Sequence, residues 1–401
     1  MDQIFKIRGT VRDYGWGGYS FIPQLLGLEN SGNAPQAEYW LGAHPSAPSQ
    51  ITEGSAKDSN LHSLSSENSE AVLGTKVLNR FGSLPFLFKV LDVRDMLSIQ
   101  VHPSKAAAEK GYADEDAAGI PVDSPSRNYR DRNHKPELML ALSEFWLLHG
   151  FKSPEAIADF LATRPCYAPM LEILKSSDIQ GLFAWTITAP LEETNVIIDT
   201  LLAGIKTEGL PEKTSPEYWI HKWTENPEAT RIGLLVILLM NVVKVNEGDA
   251  VFQGAGIIHA YLEGQNIEIM ANSDNVLRGG LTAKHMDAEE LIKHTHFETI
   301  DPQNSYIAPT PLSEFENEYN APIEDFLLTE IKIPAGSSTT ITPDGLEIFL
   351  TFNGTARIHS PISSEDFEVS KGDTFAALPG SSVEISSTSS DLRIFRAKTN
   401  L

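Results

Sequence analysis

Cysteine is all but missing from this 401-residue chain: Cys166 stands alone, so no disulfide can form within it. A reducing compartment is expected, with the thiol structural and not reactive. Long apolar runs are missing too. The longest, Ile232 to Met240, is interrupted by Gly233 and falls far short of the roughly 20 residues that span a bilayer. The start, MDQIFKIRGT, carries no apolar export core. A cytoplasmic protein without a membrane partner is therefore the expectation. Positive charge is scarce as well: 31 Lys and Arg face 54 Asp and Glu, for a net charge of -23, and no Lys/Arg run stands out. That balance opposes binding of nucleic acid. A small anion could still bind, provided its site gathers cations against the overall field.

What is present is length, with strand-like patterning toward both ends. At about 150 residues per domain there is room for two or three domains and a sizeable core. In LSIQVH, alternation puts Ser98, Gln100 and His102 on one face and Leu97, Ile99 and Val101 on the other. In PFLFKVL the same period aligns Lys89 with Leu87 and Leu91, a lone cation on an otherwise apolar face. The stretch EKGYADEDAAGIPVDSPS shows no clear period and reads as a long connection. SPEAIADFL then offers Ser153 as N-cap, Pro154 at the first helical position, and Ile157, Phe160 and Leu161 at helical spacing. PLEETNVIIDTLLAGI repeats that grammar from Pro190 and ends after Gly204 and Ile205. Residues 151–235 are expected as a helical insert.

Strands return from Val242 in NVVKVNEGDAVFQGAGIIHAY, and again after the Pro-rich connection at Ala308 to Pro311. The two regions echo each other. Gly248-Asp249 precedes Gly256 by the interval at which Gly372-Asp373 precedes Gly380, but His259 follows the first copy where Val383 follows the second. The C-terminal unit is expected to be structural, without a metal site.

The chemistry-bearing groups concentrate in HAYLEGQNIEIMANSDNVLRGG, an apolar segment that also holds His259, Glu268, Asn272, Asp274, Asn275 and Arg278. The spacing G-x5-G-x-G-x2-H, Gly248 to His259, resembles the second motif of cupin barrels, with Gly254 where proline is usual. Such a barrel holds a metal in its mouth with imidazoles and a carboxylate from neighbouring strands. His102 offers a second imidazole, Gln100 an amide oxygen, and Glu137 in PELMLAL a carboxylate that would be costly to bury unpaired. Each group also has an ordinary reading: His102 as a turn residue before Pro103, Glu137 as a strand start at the surface, Gln100 in solvent, Arg278 as a loop cation, Lys284 at a solvated helix start. Two His and one carboxylate also suit non-haem iron, against which Gln100 as an added donor argues.

Four longer segments, LPFLFKVL, LSIQVHPSK, NYRDRNHKPELMLAL and HAYLEGQNIEIMANSDNVLRGGLTAK, resemble the signatures of the type I phosphomannose isomerase family. YGWGG and AEYWLGAHPSAPS fit the same family, so the resemblance runs to about residue 300. It implies a mainly β chain: a cupin-type jelly-roll barrel as catalytic domain (1–150 and 236–307), the α-helical insert (151–235) and a second, cupin-like β domain (308–401). It implies one Zn2+ per chain, held by Gln100, His102, Glu137 and His259, and Arg278 as catalytic arginine. Lys89, Ser98, Lys135, Tyr261 and Asp274 would contact a sugar phosphate, with Glu268 and Lys284 in the same cleft. The implied reaction interconverts mannose 6-phosphate and fructose 6-phosphate by moving a proton between C1 and C2. Glu268 is the expected proton carrier, with zinc-bound water or Lys284 as rivals. A monomer is expected. The competing reading of a sugar-phosphate-binding regulator without turnover meets the objection that Arg278 and all four donors are present.

Overall fold

The computed structural model describes residues 2–226, 229–389 and 391–401. Strands dominate both ends, and helices fill Pro154–Thr224. The first of these helices, Pro154–Leu161, opens where its cap signal sits, with the Ser153 hydroxyl accepting from the Ala156 N–H at 3.1 Å. The helix Leu191–Glu208 runs through Gly204 to end at Gly209, where φ is +100°. An interior glycine costs about 1 kcal/mol. The buried stripe of Ile197, Ile198, Leu201 and Ile205 carries the helix past it. Among the described residues no helix is long and apolar enough to cross a membrane.

The chain from Lys105 to Ala117 departs from the expected connection: it is a helix, capped by Ser104. Only Ala108 of it is buried. With no apolar stripe to follow, its period is invisible in the sequence, although KAAAE is rich in strong helix formers.

An eleven-stranded sheet carries the strands named above. Its path runs Tyr306–Ile307, Ala250–Gln253, Glu137–Ala141, His259–Ala271, Phe86–Val93, Glu38–Gly42 and Thr10–Arg12. Ile99–Val101, Leu277–Gly280, Phe145–Phe151 and Met240–Val245 branch from the first half of His259–Ala271. The path is open. Its end strands are two and three residues long, too short to pair round, so the expected barrel is realised as a cupin-like sheet whose ladder does not close.

The strand His259–Ala271 is the hub. Its start pairs with Gln100 and the Phe145–Phe151 strand, its end with Phe86–Val93 and Glu137–Ala141. Between the halves it bulges, two steps from Tyr261 to Glu263 meeting one step from Leu147 to Trp146. Gly264 completes the switch at φ +129°, where an added Cβ would lie 2.6 Å from the Phe145 ring and 2.7 Å from the Glu144 carbonyl. The bulge reverses the parity. Before it Ala260 and Leu262 pack against the helices; after it Ile267 and Ile269 pack away from the site, and Glu268 faces inward with Tyr261.

The C-terminal strands form an eight-stranded sheet and a four-stranded one. Two of the larger sheet's eight strands come from the N-terminal part of the chain: Ile4–Arg8, paired antiparallel with Thr374–Ala377, and Gln50–Ile51 beyond it. Residues 1–150 are expected to form part of one unit, whereas Ile4–Arg8 pairs with Thr374–Ala377 on one side and Gln50–Ile51 on the other. The reason is two-sided burial: Ile4 packs with Phe349 and Phe375, while Phe5 and Ile7 join the core shared with Phe86 and Phe88. The sequence echo is a shared turn. Gly248 and Gly372 have φ of +91° and +89°, Gly256 and Gly380 +80° and +76°. In each copy the Asp carboxylate accepts a main-chain N–H at 2.8 Å, from Asn246 to Asp249 and from Ser370 to Asp373.

Candidate metal centre and its cavity

His102 follows the strand Ile99–Val101, Glu137 opens its strand and His259 opens the hub. The fold brings one nitrogen or oxygen of each within 4.8 Å of the others, and all three side chains are buried. His102 Nδ1 is 2.8 Å from the Asn275 carbonyl and His259 Nδ1 is 2.9 Å from the Ile257 carbonyl. A carbonyl only accepts, so each neutral ring is protonated at Nδ1 and turns an Nε2 lone pair inward. Each Nε2 lies 3.3 Å from a Glu137 oxygen, and the Lys135 ammonium lies 2.9 Å from Oε1. These are close contacts without hydrogen-bond geometry: both Nε2 atoms and both carboxylate oxygens are buried with no hydrogen bond of their own. Each such group costs about 1–3 kcal/mol if left so. Two inward lone pairs and a carboxylate answer that cost by binding a cation, and the N/O donor set suits zinc.

Charge tuning follows the same geometry. Burial pushes the Glu137 carboxyl up, but Lys135 and the His102 and His259 rings outweigh it and hold the group well below the usual carboxylate range. Burial, then Lys135, push the His102 imidazole down to about 4, which keeps it neutral and available as a donor.

Gln100 stands directly between His259 and Arg278, paired with one on each side. As the alternation in LSIQVH expects, Gln100 shares a face with Ser98, and both line the cavity. A cavity of about 900 Å³ opens above, lined by Gln100, Glu137, Ser98, Lys89, Lys135, Tyr261, Glu268, Asp274, Arg278 and Lys284. Every residue expected at the site is therefore brought together, His102 and His259 through their contacts with Glu137.

Lys89 is not the free cation that its isolation suggested. Its ammonium donates to Glu268 Oε2 at 2.8 Å, lies 3.9 Å from Glu38 and sits over the Trp40 ring. Burial alone would lower this lysine, but Glu268 and Glu38 hold it firmly protonated. Burial pushes the Glu268 carboxyl up, Lys89 opposing and the charge on Glu137 adding. Glu38 and Trp40, whose indole donates to Glu38, were missed at the sequence level; the motif AEYWLGAHPSAPS held the signal. Arg278 and Lys284 are different. Among the described residues neither side chain has an ion pair, and burial, with Arg130 beside the first and Arg278 beside the second, pushes both down. An arginine nonetheless stays charged.

Asn272 to Asn275 form the turn after the hub strand. Asp274 reaches the cavity, where His44 holds its carboxyl low, and the other three bind the loop Asp131 to Asn133.

The family described as phosphomannose isomerase type I, catalytic domain, matches residues 4–154. The mannose-6-phosphate isomerase of Salmonella typhimurium is 40% identical over 329 residues, 80% of this chain and 82% of that protein. This chain belongs to the type I phosphomannose isomerase family. The mannose-6-phosphate isomerase of Escherichia coli is 36% identical over 88% of this chain and 90% of its own. Among solved structures, mannose 6-phosphate isomerase from Salmonella typhimurium bound to fructose 6-phosphate and zinc matches with a TM-score of 0.89 and 35% identity, over all of both chains. A mannose 6-phosphate isomerase bound with zinc and yttrium matches at 0.88, again over both full chains. The likeness therefore includes the C-terminal β unit, which the sequence motifs did not reach.

Proposed function

We propose that the chain interconverts D-mannose 6-phosphate and D-fructose 6-phosphate as a zinc-dependent aldose-ketose isomerase. The observation that carries this reading is the convergence of His102 Nε2, His259 Nε2 and the Glu137 carboxylate, buried and without hydrogen bonds of their own, in a member of this family. These three, with Gln100 as a neutral fourth donor, would hold zinc. Bound there, it supplies a Lewis acid for sugar oxygens that gain negative charge.

The chain's own residues do the rest. Arg278, cross-strand from Gln100, is permanently charged, so it stabilises an oxyanion at the reacting carbons and serves poorly as a base. Transfer between C1 and C2 needs a group that exchanges a proton near neutrality. Glu268, raised by burial, is the assigned carrier, and Lys284, lowered by burial, the rival. Lys89 keeps Glu268 in place. Lys284, with Ser98, supplies the local positive and hydrogen-bonding groups for the phosphate, and Lys135, Tyr261 and Asp274 face the sugar. All these residues come from one chain, which fits action as a monomer, and the single cysteine fits a cytoplasmic setting.

A coupled assay of the interconversion, before and after chelation and after zinc is restored, tests the reading. His259→Ala should lose zinc and activity together. Arg278→Ala should keep zinc and lose about 100- to 1000-fold in turnover, the size of a lost charge-stabilising donor. A zinc-loaded wild type without turnover overturns the proposal.

A further inference from the structure

Asn275 is fully buried, and its side chain uses every hydrogen-bonding position an amide has. Oδ1 accepts from the main-chain N–H of Arg130 at 2.7 Å and of Asp131 at 3.2 Å. Nδ2 donates to the main-chain carbonyls of Asp131 at 2.9 Å and Asn133 at 2.8 Å. The Asp131 carboxylate closes the same knot, accepting from Asn133 N–H at 2.8 Å, Ser273 Oγ at 2.9 Å and Asp274 N–H at 2.7 Å. The main-chain carbonyl of Asn275 receives His102 Nδ1–H. One residue thus ties the loop leading into Lys135 and Glu137 to the atom that orients a candidate metal ligand.

We infer that Asn275 and Asp131 are positioning residues that fix the Nδ1-protonated form and the angle of the His102 ring, and through it the affinity of the metal centre. The inference rests on the proposed zinc site. Neither side chain touches the candidate ligands' inward atoms; both act through the carbonyl they hold. No other side chain of this size reproduces the knot. An aspartate at 275 has no donor for the two carbonyls and would set a second charge against Asp131, while a leucine would take this partner from the Arg130 and Asp131 N–H groups and the Asp131 carbonyl.

The experiment measures zinc affinity by competition against a chelating dye for the wild type, Asn275→Asp and the milder Asp131→Asn, with folding checked by thermal unfolding. In parallel, nitrogen-15 NMR of the metal-free proteins reads the His102 tautomer, its signal identified by loss in His102→Gln. Removing an outer partner of a ligating histidine weakens metal binding by about 10- to 100-fold. We expect such a loss in Asn275→Asp, a smaller one in Asp131→Asn, and a mixture of His102 tautomers in place of one. A folded Asn275→Asp with wild-type affinity overturns the inference, and so does weakened affinity with the tautomer unchanged, because the knot would then shape the loop alone. A wild type that binds no zinc overturns the proposed function instead, which the wild-type titration reveals separately.

Discussion

Replacing Lys89 by Met tests whether this buried lysine serves mainly as the counter-charge of Glu268. The two side chains are 7% and 4% exposed and 2.8 Å apart. At an effective dielectric near 20 the gross attraction at that distance is about 6 kcal/mol, most of it offset by desolvation. Removing one partner of such a pair costs about 3–5 kcal/mol, because the remaining charge stays buried and unpaired. Lys89→Met should therefore lower stability by that amount at pH 7, read from urea midpoints of the metal-free protein. The pH dependence has a definite sign. Without Lys89 the folded-state pKa of Glu268, already raised by burial, rises further above its unfolded value. A raised carboxyl contributes stability below the unfolded pKa and loses it as pH rises through the folded one. The deficit of Lys89→Met should shrink toward pH 4 and widen toward pH 8, and adding Glu268→Gln should recover most of it. A loss under about 1 kcal/mol that is flat with pH would refute the reasoning and return Lys89 to the role of a free phosphate-binding cation.

Two further outcomes follow from local geometry. His149 is buried, pairs across the sheet with His259 and is pushed down to about 4, chiefly by burial. Its folded pKa is depressed, so stability is full above the unfolded value near 6.5 and falls as pH drops from there to about 4, by about 3 kcal/mol; acid unfolding of His149→Gln should lack that component. Gly264→Ala would force a Cβ to within 2.7 Å of a carbonyl at φ +129°, and thermal unfolding should show a loss of at least about 2 kcal/mol, whereas a neutral result would mean that the bulge relaxes freely.

The cluster of His102, Glu137 and His259 was partly legible: alternation in LSIQVH singled out His102, the glycine spacing singled out His259, and Glu137 stood out as a carboxylate in an apolar run. The relation between His259 and Glu268 was not legible. Strict alternation along the hub strand puts an odd and an even residue on opposite faces, and only the bulge at Tyr261 to Glu263 brings them to one side. Lys89 was visible as an anomaly but not its partners, since Glu38 and Glu268 meet it across two strand pairings distant in sequence. The helix after Ser104 was hidden by its lack of an apolar face. Which of Asn272 to Asn275 holds the turn and which faces the cavity was not legible, because their partners Asp131 and Asn133 lie far back along the chain.

The strand Ile4–Arg8 has a consequence in time. Thr374, whose hydroxyl donates to the Ile7 carbonyl at 2.7 Å, is made 367 residues after it. At about 5–20 residues per second a ribosome takes roughly 20–70 s to cover that distance. Through that interval a strand of Ile, Phe and Ile has only the short strand Gln50–Ile51 to pair with and leaves its other edge open, the kind of surface that invites pairing with another chain. Synthesis that stalls before Thr374 would leave a product whose first strand stays sticky, so the final third of the chain decides when its beginning becomes safe.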